Sequence, residues 1–257
     1  FLLGAGLLAL FGFVPSILSM AAILFAILIG VLIGMPKGLP AGRKDAKFSE
    51  VFSKNRNINW LSFARMFLFG ARDVWFVVGI PIYFYAVLSD GSEAGNRAAF
   101  FLIGTFMAIW TILYGVVQGA APRLLRAASR SPGELLGQAR FWVGLLIVVP
   151  AALAVSVYSA DAPSATLTAL VILGLMVFGG IFAVNSSLHS YLILAFTDER
   201  RVTMDVGFYY MANAAGRLVG TLLSGLSYQV GGLPLCLATA AAMVVVSYFG
   251  VRRIAVA

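Results

Sequence analysis

Three arginines and one aspartate stand where an apolar chain should carry no charge. Arg65, Arg72 and Asp73 interrupt the hydrophobic stretch from Asn55 to Asp90, and Arg217 interrupts a second one further on. A helix rises about 1.5 Å per residue, so a span beginning near Ile58 places Arg72 and Asp73 roughly 20 Å in, close to the middle of a hydrocarbon core about 30 Å thick. A charge at that depth costs about 3 kcal/mol or more, and something must offset it. Either a partner inside a helical bundle does so, or a charged ligand in a wet cavity.

Arg65 and Arg72 are seven residues apart and share a helix face, with Leu68 and Phe69 between them. Two readings follow. In one, Asp73 pairs with an arginine of another helix and fixes packing. In the other, the arginines line a route for an anion, and the excess of guanidinium over carboxylate favours that. Guanidinium suits tetrahedral oxyanions because it donates two parallel hydrogen bonds and keeps its charge at physiological pH. Arg217, with Asn213 one turn before it and Tyr209 and Tyr210 two turns before it, is open to the same two readings. Asn185 and His189 are i,i+4 neighbours in a polar cluster that also holds Ser186, Ser187, Ser190 and Tyr191. This cluster reads as hydrogen bonding between helices or as a coupling site, since an unperturbed histidine titrates near 6.5. Asp73 and His189 are the candidates for a coupling or ion-pair role. Ala212, Gly216, Gly220 and Ser224 recur every four residues and predict a close approach of two helices.

The elements that must position these groups are membrane helices. The chain is 61% hydrophobic and 11% charged, against about a quarter charged in soluble domains. Its apolar runs exceed 18 residues, and the ten-residue alternation of a β-barrel does not occur. One cysteine and one histidine are too few for an ordinary metal site, and no cofactor is indicated. No nucleophile, base and acid come together as an enzyme would need. The net charge of +8 is explained by membrane topology better than by nucleic acid.

Eight spans are expected, at about residues 1–13, 15–35, 58–88, 98–120, 141–159, 167–196, 206–229 and 235–251. Turns fall around Gly12 to Ser16 and at Gly231 to Pro234. Alternate connections are rich in Lys and Arg, which places the basic linker and the C-terminus in the cytoplasm. Gly119 to Arg126, with Pro122, is a hinge candidate, and Trp60, Trp75, Trp110 and Trp142 divide between interface anchors and bundle residues. Two helices before the linker and six after it suggest an all-α, major-facilitator-type bundle, from the end of helix 5 through helix 12. Residues 1–36 would be the last two helices of an N-terminal half, 37–57 the linker and 58–257 the C-terminal half. Because the chain opens inside an apolar run, it reads as part of a longer protein. Half of any site between the halves would then lie on helices outside it.

The stretches FSKNRNINWLSFARMFLFGARDVWFVVG, NSSLHSYLILAF and GFYYMANAAGRLVGTLLSGLSYQ closely resemble the ArsJ organoarsenical efflux permeases of the major facilitator superfamily. That resemblance implies a multi-pass protein of the inner membrane exporting 1-arseno-3-phosphoglycerate, a small anionic organoarsenate. It also implies a functional link to glyceraldehyde-3-phosphate dehydrogenase, which makes that compound from arsenate. Scarce cysteine suits a pentavalent ester better than thiolate-bound trivalent arsenic. The alternatives are a major-facilitator organophosphate or phosphate antiporter, and a membrane receptor or scaffold whose arginines are only structural.

Overall fold

Gly12 and the Gly231–Gly232 pair punctuate a chain that is otherwise almost continuous helix. The computed structural model describes residues 2–36, 52–198 and 201–255, and among them there is no strand. The elements are α1 (Leu2–Phe11), α2 (Phe13–Gly34), α3 (Arg56–Val74), a π-helical turn (Trp75–Gly79), α4 (Ile80–Leu88), α5 (Glu93–Leu124), a 3-10 turn (Ala127–Ser129), α6 (Pro132–Tyr158), α7 (Ala165–Phe196) and α8 (Val202–Arg252). Six helical stretches are long and apolar enough to cross a bilayer, counting α3 through α4 as one, and α1 is a shorter apolar helix. Leu, Phe, Ile and Val side chains cover much of the outer surface. This is the arrangement expected of a helical bundle in lipid.

The helix ends follow local chemistry. Asn55 caps α3, its side chain accepting from the Asn57 amide at 2.9 Å. Ser131 and Glu134 form a reciprocal capping box at the start of α6, with Pro132 at the first helical position. Ser164 caps α7 through the Leu167 amide at 3.1 Å. Gly12 breaks α1 from α2 at φ 77°, a conformation that suits glycine. α8 counts 51 residues, about 75 Å if straight, but Gly231 and Gly232 leave helical geometry within it (Gly232 φ 62°) just before Pro234. The expected turn there is present.

Several boundaries differ from expectation. α5 begins at Glu93 instead of residue 98 and runs through Pro122, and α6 begins at Pro132 instead of residue 141, so Arg140 lies within a helix. Capped polar turns extend a helix beyond its apolar stretch, and hydropathy does not register them. The linker, expected over 37–57, falls outside the described residues as far as residue 51.

The chain forms two compact units, one of residues 1–48 and 84–109, the other of 49–83 and 110–257. Their borders fall within helices as well as in the linker. In the first, the apolar window of α2 buries none of its residues. Tyr85 and Ser89 donate to Asn96 and close the turn between α4 and α5. In the second, α3 with its π turn is the central element. One end of this unit is stitched by backbone carbonyls: Asn55 Nδ2 donates to Phe196 O (2.8 Å), Asn57 Nδ2 to Ala255 O (2.6 Å) and Arg140 Nη2 to Ile254 O (2.8 Å). Trp75 and Trp110 are fully buried in an aromatic cluster with Phe76 and Phe178, so both are bundle residues. Trp110 Nε1 donates to Leu175 O at 2.8 Å.

Candidate functional site

The second unit contains every sequence-derived candidate, and the contact between α3 and α8 positions most of them. Gly216 and Gly220 of α8 lie directly on the α3 backbone. A Cβ on Gly216 would meet Met66 carbonyl atoms, and one on Gly220 would sit 2.8 Å from Gly70 Cα. Ser224, two turns beyond Gly216, does more than leave room. Its Oγ accepts from the Val78 and Gly79 amides at 3.2 and 3.4 Å, within the π turn whose ladder departs from the α pattern. Ala212, at the start of the stripe, is only half-buried.

This close approach brings Asp73 and Arg217 together. Asp73 is 1% exposed, and each of its oxygens faces a different guanidinium. Arg72 Nε donates to Oδ1 at 2.6 Å, with Arg72 Nη2 also on Oδ1, and Arg217 Nε donates to Oδ2 at 3.1 Å. Arg217 engages Asp73 through Nε alone, and its side chain is 57% exposed, against 14% for Arg72. The carboxylate thus fixes two guanidiniums from two helices, while the terminal nitrogens of Arg217 bond to no group among the described residues. Arg72 also faces the rings of Phe69, Phe76 and Phe182 at 5.6 to 5.9 Å.

Arg65 stands apart from this triad. It is 4% exposed, with its guanidinium 3.9 Å from the Phe69 ring centre and 4.8 Å from that of Tyr209. Such cation–π contacts contribute about 0.5–2 kcal/mol each. Arg65 Nη1 donates to Ser186 O at 3.1 Å, and Nε has no partner. Tyr114 and Gln118 of α5 donate to the Ser186 hydroxyl at 3.3 and 3.2 Å and hold that turn of α7 in place. Asn185 and His189 are fully buried beside it. Asn185 Nδ2 donates to Ile181 O at 3.0 Å, while Asn185 Oδ1 and both His189 ring nitrogens have no partner.

The candidates therefore separate into two groups: Arg72, Asp73 and Arg217 in one, and Arg65, Asn185 and His189 in the other. Asn213 is half-buried with Oδ1 unpartnered, and makes no bond to either group. Tyr210 points outward, 54% exposed, and it is Tyr209 that meets Arg65. Helical spacing could have separated the two tyrosines. Tyr209 is seven residues from Gly216 and shares its α3-facing side, whereas Tyr210 is seven from Arg217. Phe69 and Phe182, 4.9 Å apart, both meet an arginine, and apolar rings in an apolar helix carry no sequence signal of that.

Among the described residues no second carboxylate lies within ion-pair distance of these arginines, so Arg72 and Arg217 share one negative charge and Arg65 has none. No group of three potential metal ligands occurs among the described residues. An apolar hollow of about 370 Å³ lined by Val155, Tyr158, Pro234 and Leu235 does not include the arginines. Comparison with known proteins finds no matching family model, no matching curated protein and no matching solved structure.

Proposed function

We propose that this chain belongs to a membrane carrier that exports a small organic oxyanion by alternating access, with 1-arseno-3-phosphoglycerate as cargo. The observation that carries the reading is the shared carboxylate: Asp73 holds Arg72 and Arg217, from two helices, with positive charge to spare. In this reading the half-exposed Arg217 and its neighbour Arg72 receive the oxyanion through terminal guanidinium nitrogens. Asp73 is a positioning residue that aims both. A fork donating two parallel bonds matches arsenate and phosphate heads. The likeness of the three quoted stretches to organoarsenical permeases supplies the cargo, and the major-facilitator architecture comes from the same source. The basic connections give the orientation, with linker and C-terminus cytoplasmic in an inner membrane.

In cells expressing the whole carrier together with glyceraldehyde-3-phosphate dehydrogenase, Arg72→Ala should abolish arsenate resistance at unchanged membrane abundance. Arg72→Lys should be impaired as well, because a point charge does not replace the fork. Full resistance in Arg72→Ala removes this residue from the site. The ion pair to Arg217 also favours a second reading, in which the triad only fixes α3 against α8. Joint replacement of Arg72, Asp73 and Arg217 by apolar residues would then leave function intact. Counterflow in vesicles of the arsenylated compound against 3-phosphoglycerate separates an arsenic exporter from an ordinary organophosphate antiporter.

A further inference from the structure

Arg65 is a buried cation with no carboxylate at ion-pair distance among the described residues. Its Nη1 bonds a neutral carbonyl, its Nε is unpartnered, and the rings of Phe69 and Tyr209 flank it. A guanidinium out of water without a counter-charge is costly, and native structures seldom leave such groups unsatisfied. The groups beside it are unsatisfied too. Asn185 and His189 lie one turn apart on the same face of α7, fully buried, on the turn whose Ser186 carbonyl Arg65 holds.

The mixture of these atoms narrows what could satisfy them. Arg65 Nε is a donor. A neutral imidazole offers one N–H and one lone pair. The Asn185 amide is oriented by its bond to Ile181 O, which commits its nitrogen there and leaves Oδ1 as an acceptor. A halide accepts only, and so does sulfate at neutral pH. A protonated tetrahedral oxyanion of the phosphate and arsenate class accepts through its bare oxygens and donates through its hydroxyl.

We infer that Arg65, His189 and Asn185 form a second anion site, distinct from the Arg72–Asp73–Arg217 triad, that takes a protonated tetrahedral oxyanion. Arg65 supplies the charge, His189 a hydrogen bond, and Asn185 Oδ1 accepts from the ligand's hydroxyl. The site is closed in this structure, so the ligand enters when α3 and α7 part. A free oxyanion and one head of a larger cargo share this chemistry.

The test is equilibrium binding of radiolabelled inorganic phosphate to the full chain in lipid nanodiscs, competed by arsenate, sulfate or chloride. Arsenate should compete as phosphate does. Sulfate should compete at least about tenfold less well, the effect of one hydrogen bond left unmade. Asn185→Leu, close in volume and free of the orphaned amide, should bring the phosphate-to-sulfate ratio to about one. Arg65→Met should remove the selective component and leave only unselective binding at Arg72 and Arg217. Equal competition by sulfate in the unaltered chain, effective competition by chloride, or an unchanged ratio in Asn185→Leu overturns the assignment. If a three-carbon bisphosphonate competes more strongly than phosphate and loses that advantage in Arg65→Met, the site holds one head of a larger cargo. Equal competition makes it a site for the free ion. Selective binding without flux would leave this site standing and remove the carrier, and flux without selectivity would do the reverse.

Discussion

Adding one methyl group at Gly216 should both loosen the bundle and disconnect its charged triad. An alanine Cβ there would sit 2.7 and 2.8 Å from the Met66 carbonyl carbon and Cα, and closer still to its oxygen. These are backbone atoms, so no side chain can swing aside, and relief requires α8 to move outward from α3. Arg217 is the next residue, and its bond to Asp73 is already 3.1 Å long, so the same movement breaks it. The Ser224 bonds at 3.2 and 3.4 Å have still less reserve. Overpacking of this kind costs about 1–3 kcal/mol, and replacing a helical glycine by alanine returns about 0.5–1 kcal/mol of it. Gly225 is the matched control: about two and a half turns further along the same helix, with nothing within 4 Å of a Cβ, its alanine variant should gain that smaller amount. Unfolding in mixed detergent, followed by tryptophan fluorescence, should order the proteins as Gly225→Ala, unaltered, Gly216→Ala. Equal stability of the two variants would refute the close backbone contact on which the site geometry rests.

Asp73→Ala should cost about 3–5 kcal/mol in the same assay, since it leaves two guanidiniums without their carboxylate, and adding Arg217→Met should recover part of that loss. Ser224→Ala keeps the small volume but deprives the Val78 and Gly79 amides of their acceptor. It should cost about 1–3 kcal/mol and speed hydrogen exchange at those two amides, while exchange along α7 stays unchanged.

Glycine, proline and capping residues made the helix breaks legible. Gly12 and Gly231–Gly232 interrupt the chain where their types suggest, and the stripe containing Gly216 and Gly220 meets another backbone as its four-residue spacing implies. The early starts of α5 and α6 were hidden because their first turns are polar, and hydropathy follows lipid contact, not hydrogen bonding. The π turn at Trp75–Gly79 has no sequence signature; it becomes intelligible only with Ser224 as an acceptor, 145 positions away from Gly79. Charge at membrane depth marked Arg65, Arg72, Asp73 and Arg217 as a set. Which arginine Asp73 would hold depends on how α3 and α8 meet, and spacing within one helix carries no information about that. The split between Arg65 and the triad was out of reach for the same reason, since Phe69 separates them by shape alone.

The asparagines at the start of α3 grip carbonyls made far downstream of them. Asn55 waits for Phe196, 141 positions on, and Asn57 waits for Ala255, 198 positions on. Until the ribosome has delivered α8, this rim of the second unit lacks its fastenings, however early α3 itself has coiled. Closing such a span is entropically slow, and domains emerge from the amino terminus onward. Two side-chain amides therefore set one condition on assembly: the rim can be laced shut only after residue 255 has been made, 198 positions beyond Asn57.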